Sequence, residues 1–248
     1  MKRIMLSVLI IVLCLSSIAN AFQSDMNIDY YSSKNDFSTW KDWENEVYTN
    51  PIQVQLYEMC RLKLGTDINE ISENNYLVKS DRQLNGDDVV AYDAVFNYMS
   101  INEISFNEKV RLEFYQDKLE NVRFNFDMNG ERLRDILNSK WGNPASSIAI
   151  GDKIRYTWKN GDYEARLLTN GTDGSLRVFY MPYAKTANKI KRLEYAEYLK
   201  TAPEVINRFE NLVKNSPQFK ESFKLELQND SEYAQALQEA GMDMSIFN

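Results

Sequence analysis

Between Val110 and Tyr183 the chain alternates apolar and polar residues in several short runs, and this period constrains the fold more than any other feature. Val110, Leu112 and Phe114 alternate with Arg111, Glu113 and Tyr115. A period of two marks a strand with one buried face. Gln116, Asp117 and Lys118 form a polar break, after which Val122, Phe124 and Phe126 alternate with Arg123 and Asn125. Two such runs joined by a short break predict a hairpin. Ile154, Tyr156 and Trp158 then lead into Asn160-Gly161, a type I′ turn signal because both central residues need positive φ. Tyr163, Ala165 and Leu167 return from that turn, Asn170 to Gly174 makes another, and Leu176, Val178 and Tyr180 form a further strand.

One helix interrupts the strands. Leu133, Ile136, Leu137 and Trp141 fall at i, i+3, i+4 and i+8, which places them on one face of a helix from Glu131 to Lys140. Asn129 is the expected N-cap, with its side-chain oxygen accepting from the first turn. Gly142 and Pro144 are the expected stop. The fold class that follows is α+β: a twisted antiparallel sheet with one face covered by helix, plus a C-terminal helical extension.

On the N-terminal side, Trp40, Trp43 and Val47 have helical spacing and Pro51 interrupts them. Val54, Tyr57, Arg61 and Leu64 predict a second helix, with Cys60 near its apolar side and Gly65 as its stop. Thr66 is expected to cap a short helix carrying Ile68 and Ile71. Leu77 and Val78 suit a strand, Asn85-Gly86 a hairpin turn, and Val89 to Met99 a strand with Tyr92, Phe96 and Tyr98 on one side. Asn102 to Phe106 links it to the central hairpin.

The pattern beyond Tyr183 is helical. Ile190, Leu193 and Tyr195 begin one helix, and Thr201-Ala202-Pro203-Glu204 reads as a capping box for the next. Ser216-Pro217 breaks that helix, and Asp230 caps a last one closed by Gly241. The expected organisation is a signal peptide over 1–21, a polar lead-in over 22–39, the α+β domain over 40–183 and the helical extension over 184–248.

Export is read from the first residues. Lys2 and Arg3 precede an apolar run from Ile4 to Leu15, and Ala19-Asn20-Ala21 is a small-x-small cleavage site. The run is shorter than the roughly 20 apolar residues of a membrane span, so no stable membrane insertion is expected after cleavage. The expected location is periplasmic or secreted. Without Lys2 and Arg3 the chain carries 27 basic and 36 acidic residues, a balance that disfavours nucleic-acid binding. Cleavage also removes Cys14 and leaves Cys60 alone, either as a buried thiol or as one half of a disulfide to a partner.

The chain has no histidine. This excludes Ser-His-Asp and Cys-His nucleophiles and histidine-ligated zinc. None of the 9 glycines makes a dinucleotide or phosphate loop, and no cofactor or metal is expected. Carboxylate chemistry stays open, with Asp87-Asp88 and Glu131/Asp135 as the visible pairs, but a solvated surface explains both far better, because neither sits in an apolar frame. Lys185, Lys189, Lys191 and Arg192 are the densest basic run, suited to anionic headgroups or to a solvated helix face.

Several segments carry a family resemblance. Leu64-Gly65-Thr66-Asp67-Ile68-Asn69-Glu70-Ile71, Lys140-Trp141-Gly142-Asn143-Pro144, Tyr156-Thr157-Trp158 and Arg166-Leu167-Leu168 resemble motifs of small exported bacterial domains. These domains are typified by the outer-membrane-assembly lipoprotein and the β-lactamase inhibitor protein. The likeness spans roughly residues 60 to 180; it departs where strands fall between the two helical motifs, and the lipidation cysteine is missing. It implies an α+β fold used for protein contact and carries over no site residue.

The expectation is a non-enzymatic binding or assembly module with a protein partner in the cell envelope. Tyr156, Trp158, Tyr163 and Tyr180 are the candidate contact face, because aromatics concentrate at hot spots; the alternative for the same rings is the core. The competing function is a carboxylate-dependent hydrolase of envelope glycans.

Overall fold

The computed structural model describes residues 49–80 and 88–247. The signal segment, the lead-in, the Trp40–Val47 run and the Asn85-Gly86 turn lie outside the described residues. Two helices come first, α1 (Pro51–Cys60) and α2 (Ile68–Asn74). The strands are β1 (Leu77–Lys79), β2 (Val89–Val95), β3 (Ser100–Ile101), β4 (Ile104–Ser105), β5 (Lys109–Tyr115) and β6 (Lys118–Phe126), then, after helix α3 (Gly130–Trp141), β7 (Ser146–Ile150), β8 (Lys153–Asn160), β9 (Tyr163–Thr169) and β10 (Gly174–Tyr180). The extension is α4 (Met181–Leu199), α5 (Pro203–Asn215), α6 (Pro217–Asn229) and α7 (Ser231–Glu239), closed by a 3-10 turn over Met244–Phe247.

Eight strands form one antiparallel sheet in the order β1-β2-β5-β6-β10-β9-β8-β7, so the fold class is α+β with a C-terminal helical part. The alternating runs lie where their period places them. Val110, Leu112, Phe114, Val122, Phe124, Leu176 and Val178 are all buried on one sheet face. Leu133 and Leu137 of α3 and Ile52 and Leu56 of α1 cover that face and complete its core. Gln116 and Asp117 turn the β5–β6 hairpin with φ of 47° and 63°, a primed turn made without glycine.

Helix ends depart from expectation because backbone elsewhere serves them. Asn129 makes no side-chain cap bond to α3 and itself has φ 65°. The free amides are taken by the β9–β10 loop: Gly130 N donates to Thr172 O (2.9 Å) and Glu131 N to Gly171 O (3.0 Å). That approach needs glycine, since a Cβ on Gly130 would stand 2.1 Å from Thr169 Oγ1. Pro51 begins α1 rather than interrupting a helix, with Asn50 as its cap, and the helix stops at Cys60 because Arg61 turns left-handed. Asp67, not Thr66, caps α2. The Thr201 capping box does not form; Thr201 Oγ1 donates back to Tyr198 O at 2.8 Å. Asp230 caps α7 as expected, accepting from Tyr233 N at 3.2 Å.

Three strand details also differ. Asn160 pairs with Tyr163, so Gly161 and Asp162 are the central turn residues and only Gly161 has positive φ. β2 ends at Val95, and Tyr98 leaves the alternation with φ 60°. β7 was not expected: Ser146-Ser147-Ile148-Ala149-Ile150 is too short and polar to announce a strand, yet it pairs along β8.

Cys60 is buried, and its thiol donates to Leu56 O (3.3 Å). Burial pushes this thiol up to about 12, against a weaker opposing bond from the Leu62 backbone. A disulfide to a partner has no access to it. Native protein at pH 8 is expected to react with a thiol reagent only after denaturation, as mass shift against time will show. Immediate native labelling would contradict this burial.

The second sheet face reads as solvent-facing in sequence, but α4 lies across β6, β10, β5 and β2 there. Ala184 and Ala187 are fully buried, and their small side chains bring the helix close to the strands. Lys191, on the same helical stripe, reaches down between two acids, Glu113 (2.5 Å) and Glu120. The basic run of the sequence divides: Lys185 and Lys189 stay exposed, Lys189 pairing with Glu232 of α7, while Arg192 pairs with Glu226 and Asp230 and Lys191 turns inward. These ion pairs fasten the sheet below and the helices above to the same helix.

The two acids differ in charge state. Burial pushes the fully enclosed Glu120 up to about 7, opposed by Lys191 and reinforced by Glu113. Burial also pushes Glu113 up, but Lys191, Arg177 and side-chain bonds more than reverse this and hold it at about 2. Glu120 thus keeps a proton in the folded state that the unfolded chain loses near its ordinary 4.5. Its contribution to stability is complete below pH 4.5 and fades as pH rises through about 7. Glu113 contributes above pH 4.5 and loses its contribution as pH falls toward about 2. Glu120→Gln is therefore expected to gain on the wild type between pH 5 and pH 8.5, by up to about 3 kcal/mol. Urea melts at both pH values measure this, and parallel curves would remove the proton from Glu120.

Candidate functional site

The four aromatics picked out in the sequence lie on the core face of the sheet. β8 positions Tyr156 and Trp158, while Tyr163 begins β9 and Tyr180 ends β10. Trp158 is 2% exposed and Tyr163 is 3% exposed, so both are core residues. Trp158 packs edge-on against Trp141 (5.7 Å between centroids), and its Nε1 donates to Gly142 O at 2.9 Å. Tyr163 packs against Tyr180, which in turn meets Tyr183. Only Tyr156 and Tyr180 keep partial exposure. The structure therefore does not present the four rings as one open surface.

Tyr156 does line a cleft. Glu131 and Arg134 of α3, Asp152 and Ile154 at the start of β8, and Asn170 with Gly171 in the β9–β10 loop form the rest of a recess of about 120 Å³. The loop is rigidly built: Asn170 Oδ1 accepts from Thr172 N (2.9 Å) and Asp173 N (3.0 Å), and Lys153 pairs with Asp173 at 3.0 Å. Arg134 sits 5.7 Å from the centre of the Tyr156 ring, and its pKa is raised by a bond to the Tyr156 hydroxyl and by Asp135. Of the acid pairs seen in sequence, Glu131 enters this cleft, whereas Asp135 is taken by Arg134 (2.8 Å). Asp88 is exposed, and Asp87 lies outside the described residues. The cleft's second acid is Asp152, which no spacing in the sequence linked to Glu131. Among the described residues no group of three acids or thiols could hold a metal ion.

The two ends of the sheet are finished differently. At β7, Ala149 N donates to Gln218 Oε1 of α6 (3.0 Å), and Gly151 N donates to Ser216 Oγ (2.9 Å). Side chains at the head of α6 thereby occupy that edge. At β1 the described residues hold no such cover. Tyr76 is 86% exposed, Val78 51%, Val95 65% and Tyr98 98%; of eight exposed large apolar side chains in the described residues, these four fall at this one end. The pairing of Leu77 with Ala94 places Tyr76 opposite Val95, so Tyr76, Val78 and Val95 share a face. A strand edge with exposed apolar side chains is normally protected by charge, proline or cover. Among the described residues nothing covers it, and an uncovered edge is a ready template for another strand. The sequence does not announce it, because Tyr98 continues the alternation of Tyr92 and Phe96 and so reads as one more residue on their side of the strand.

Among the described residues no helix is long and apolar enough to cross a membrane. No family model matches the chain, and no curated protein matches it. A solved structure described as a cysteine-rich secretory protein, from Staphylococcus aureus subsp. aureus Mu50, is similar at 13% identity over 47% of this chain and 44% of that chain, with a TM-score of 0.26. The chain thus spans less than half the length of that protein, and a likeness at this level bears on neither fold nor function.

Proposed function

We propose that this chain is an exported, non-enzymatic binding module of the cell envelope, and that it holds a protein partner at the open β1 end of its sheet. The observation that carries this reading is the contrast between the two ends: α6 closes β7, while Tyr76, Val78, Val95 and Tyr98 stand exposed at the other. Exposed apolar clusters on a folded surface mark contact sites. The basic-then-apolar start and the Ala19-Asn20-Ala21 site support export, and the lack of histidine fits a role without proton transfer.

A photo-crosslinking side chain at position 78 tests the reading, with one at the exposed Leu225 as the remote control. In cells, the probe at 78 is expected to join the chain to one defined envelope protein, and the probe at 225 is not. Equal capture at both positions, or none at 78, overturns the proposal. The same cells will show whether the exported chain begins at Phe22.

The glycan-hydrolase reading rests on Glu131 and Asp152 sharing one cleft. Its volume of about 120 Å³ is small beside the roughly 300–1,000 Å³ of pockets that enclose a ligand. Turnover of a glycan by the mature protein, abolished by Glu131→Gln, would reverse this preference.

A further inference from the structure

We infer that the partner is received as an additional β-strand, an extended segment with alternating apolar residues and an acid, laid along the outer side of β1. This rests on the proposal that the β1 end is the binding face, and adds how it binds and what it selects. The hydrogen-bonding phase is given by Ser80 N, which donates to Ala91 O at 2.9 Å. In an antiparallel ladder inward and outward backbone groups alternate, so Ser80, Val78 and Tyr76 bond inward to β2. The N–H and C=O groups of Leu77 and Lys79 therefore point away from the sheet. An incoming strand meets two residues' worth of donors and acceptors in register.

Side chains set the chemistry of that strand. On the face of Val78 it meets Tyr76 and Val95, which favour apolar residues. Asp93 is shared by Lys109 (2.8 Å) and Arg111 (3.4 Å), which leaves one cation in excess, with Lys109 70% exposed. Lys79 is exposed on the opposite face and has no ion pair among the described residues. Lys79 stands on the edge strand itself, so an acid on the incoming strand meets a cation directly across the new pairing. A second copy of the chain is the poorer occupant. A two-fold axis through Val78 would set the Lys79 side chains of both copies on one face, diagonally across the new strand pair.

The test uses a labelled synthetic peptide with the sequence of β2, Val89–Val95, which alternates in the required way, carries Asp93 and already pairs with β1 from the other side. Binding to the mature protein is followed by fluorescence polarisation. Two N-methylated versions block alternate sets of peptide amides. One set is expected to weaken binding about tenfold, because two backbone hydrogen bonds are lost, and the other to leave it unchanged. Val78→Asp is expected to abolish binding of all three. If both N-methylated peptides bind as well as the parent while Val78→Asp still abolishes binding, strand addition is wrong and the β1 end remains the binding face. If Val78→Asp has no effect, the β1 end is not the site. Absence of binding at millimolar peptide overturns strand addition.

Discussion

Lys191→Met is expected to lower the unfolding free energy at pH 8 by about 3–5 kcal/mol, the cost of leaving buried acids without their cation. Lys191 contacts both Glu113 and Glu120, and Glu120 is wholly enclosed. Without the ammonium, like charges face each other beneath α4, and Arg177 and Arg123 on the neighbouring strands are the remaining local cations. The loss should be concentrated in the packing of α4. Limited proteolysis of the variant is expected to cut within Met181–Leu199 before the sheet melts. Adding Glu120→Gln should restore much of the loss, because it removes one of the two buried acids that have lost their shared cation. Denaturant titration of the single and double variants measures both effects. Additive losses would mean that Lys191 and Glu120 do not act as a pair.

Trp158→Ala should cost about 3–5 kcal/mol, the usual range for removing a large buried ring. The indole fills the space beside Trp141 and donates to the carbonyl that closes α3, so its removal opens a cavity and frees a helix end together. Tyr156→Ala, two residues away on the same strand but partly exposed, should cost less than half as much. Thermal melts of the two variants separate a core role from a contact role. A Trp158→Ala protein as stable as wild type would return this ring to the list of surface anchors.

The sheet was legible because its strands bury one face and alternate cleanly. Val110 to Phe114 and Val122 to Phe126 needed no tertiary information to be recognised, and Leu133 and Leu137 identified α3 in the same way. The other face was misread for a physical reason. Arg111, Glu113, Arg123 and Arg177 look like solvent-facing positions, and the helix that lies over them brings its own cation for the buried Glu113 and Glu120. Lys191 is that cation, yet in sequence it is one of several lysines in a basic run. Caps failed where the chain supplied backbone from afar, as Thr172 and Gly171 do for α3. The proposed binding face was hidden for the opposite reason. Exposure of Tyr76 and Tyr98 depends on what does not pack on them, and no pattern within a strand records that.

The bonds from Gln218 and Ser216 to β7 have a consequence for stoichiometry. A sheet with both margins free could accept a strand at each and hand the next margin on, the geometry from which fibres grow. With one margin stoppered by α6, the lattice of hydrogen bonds can lengthen in a single direction. Under the proposed strand addition each molecule then has room for one guest strand, and the chain of additions ends where it began.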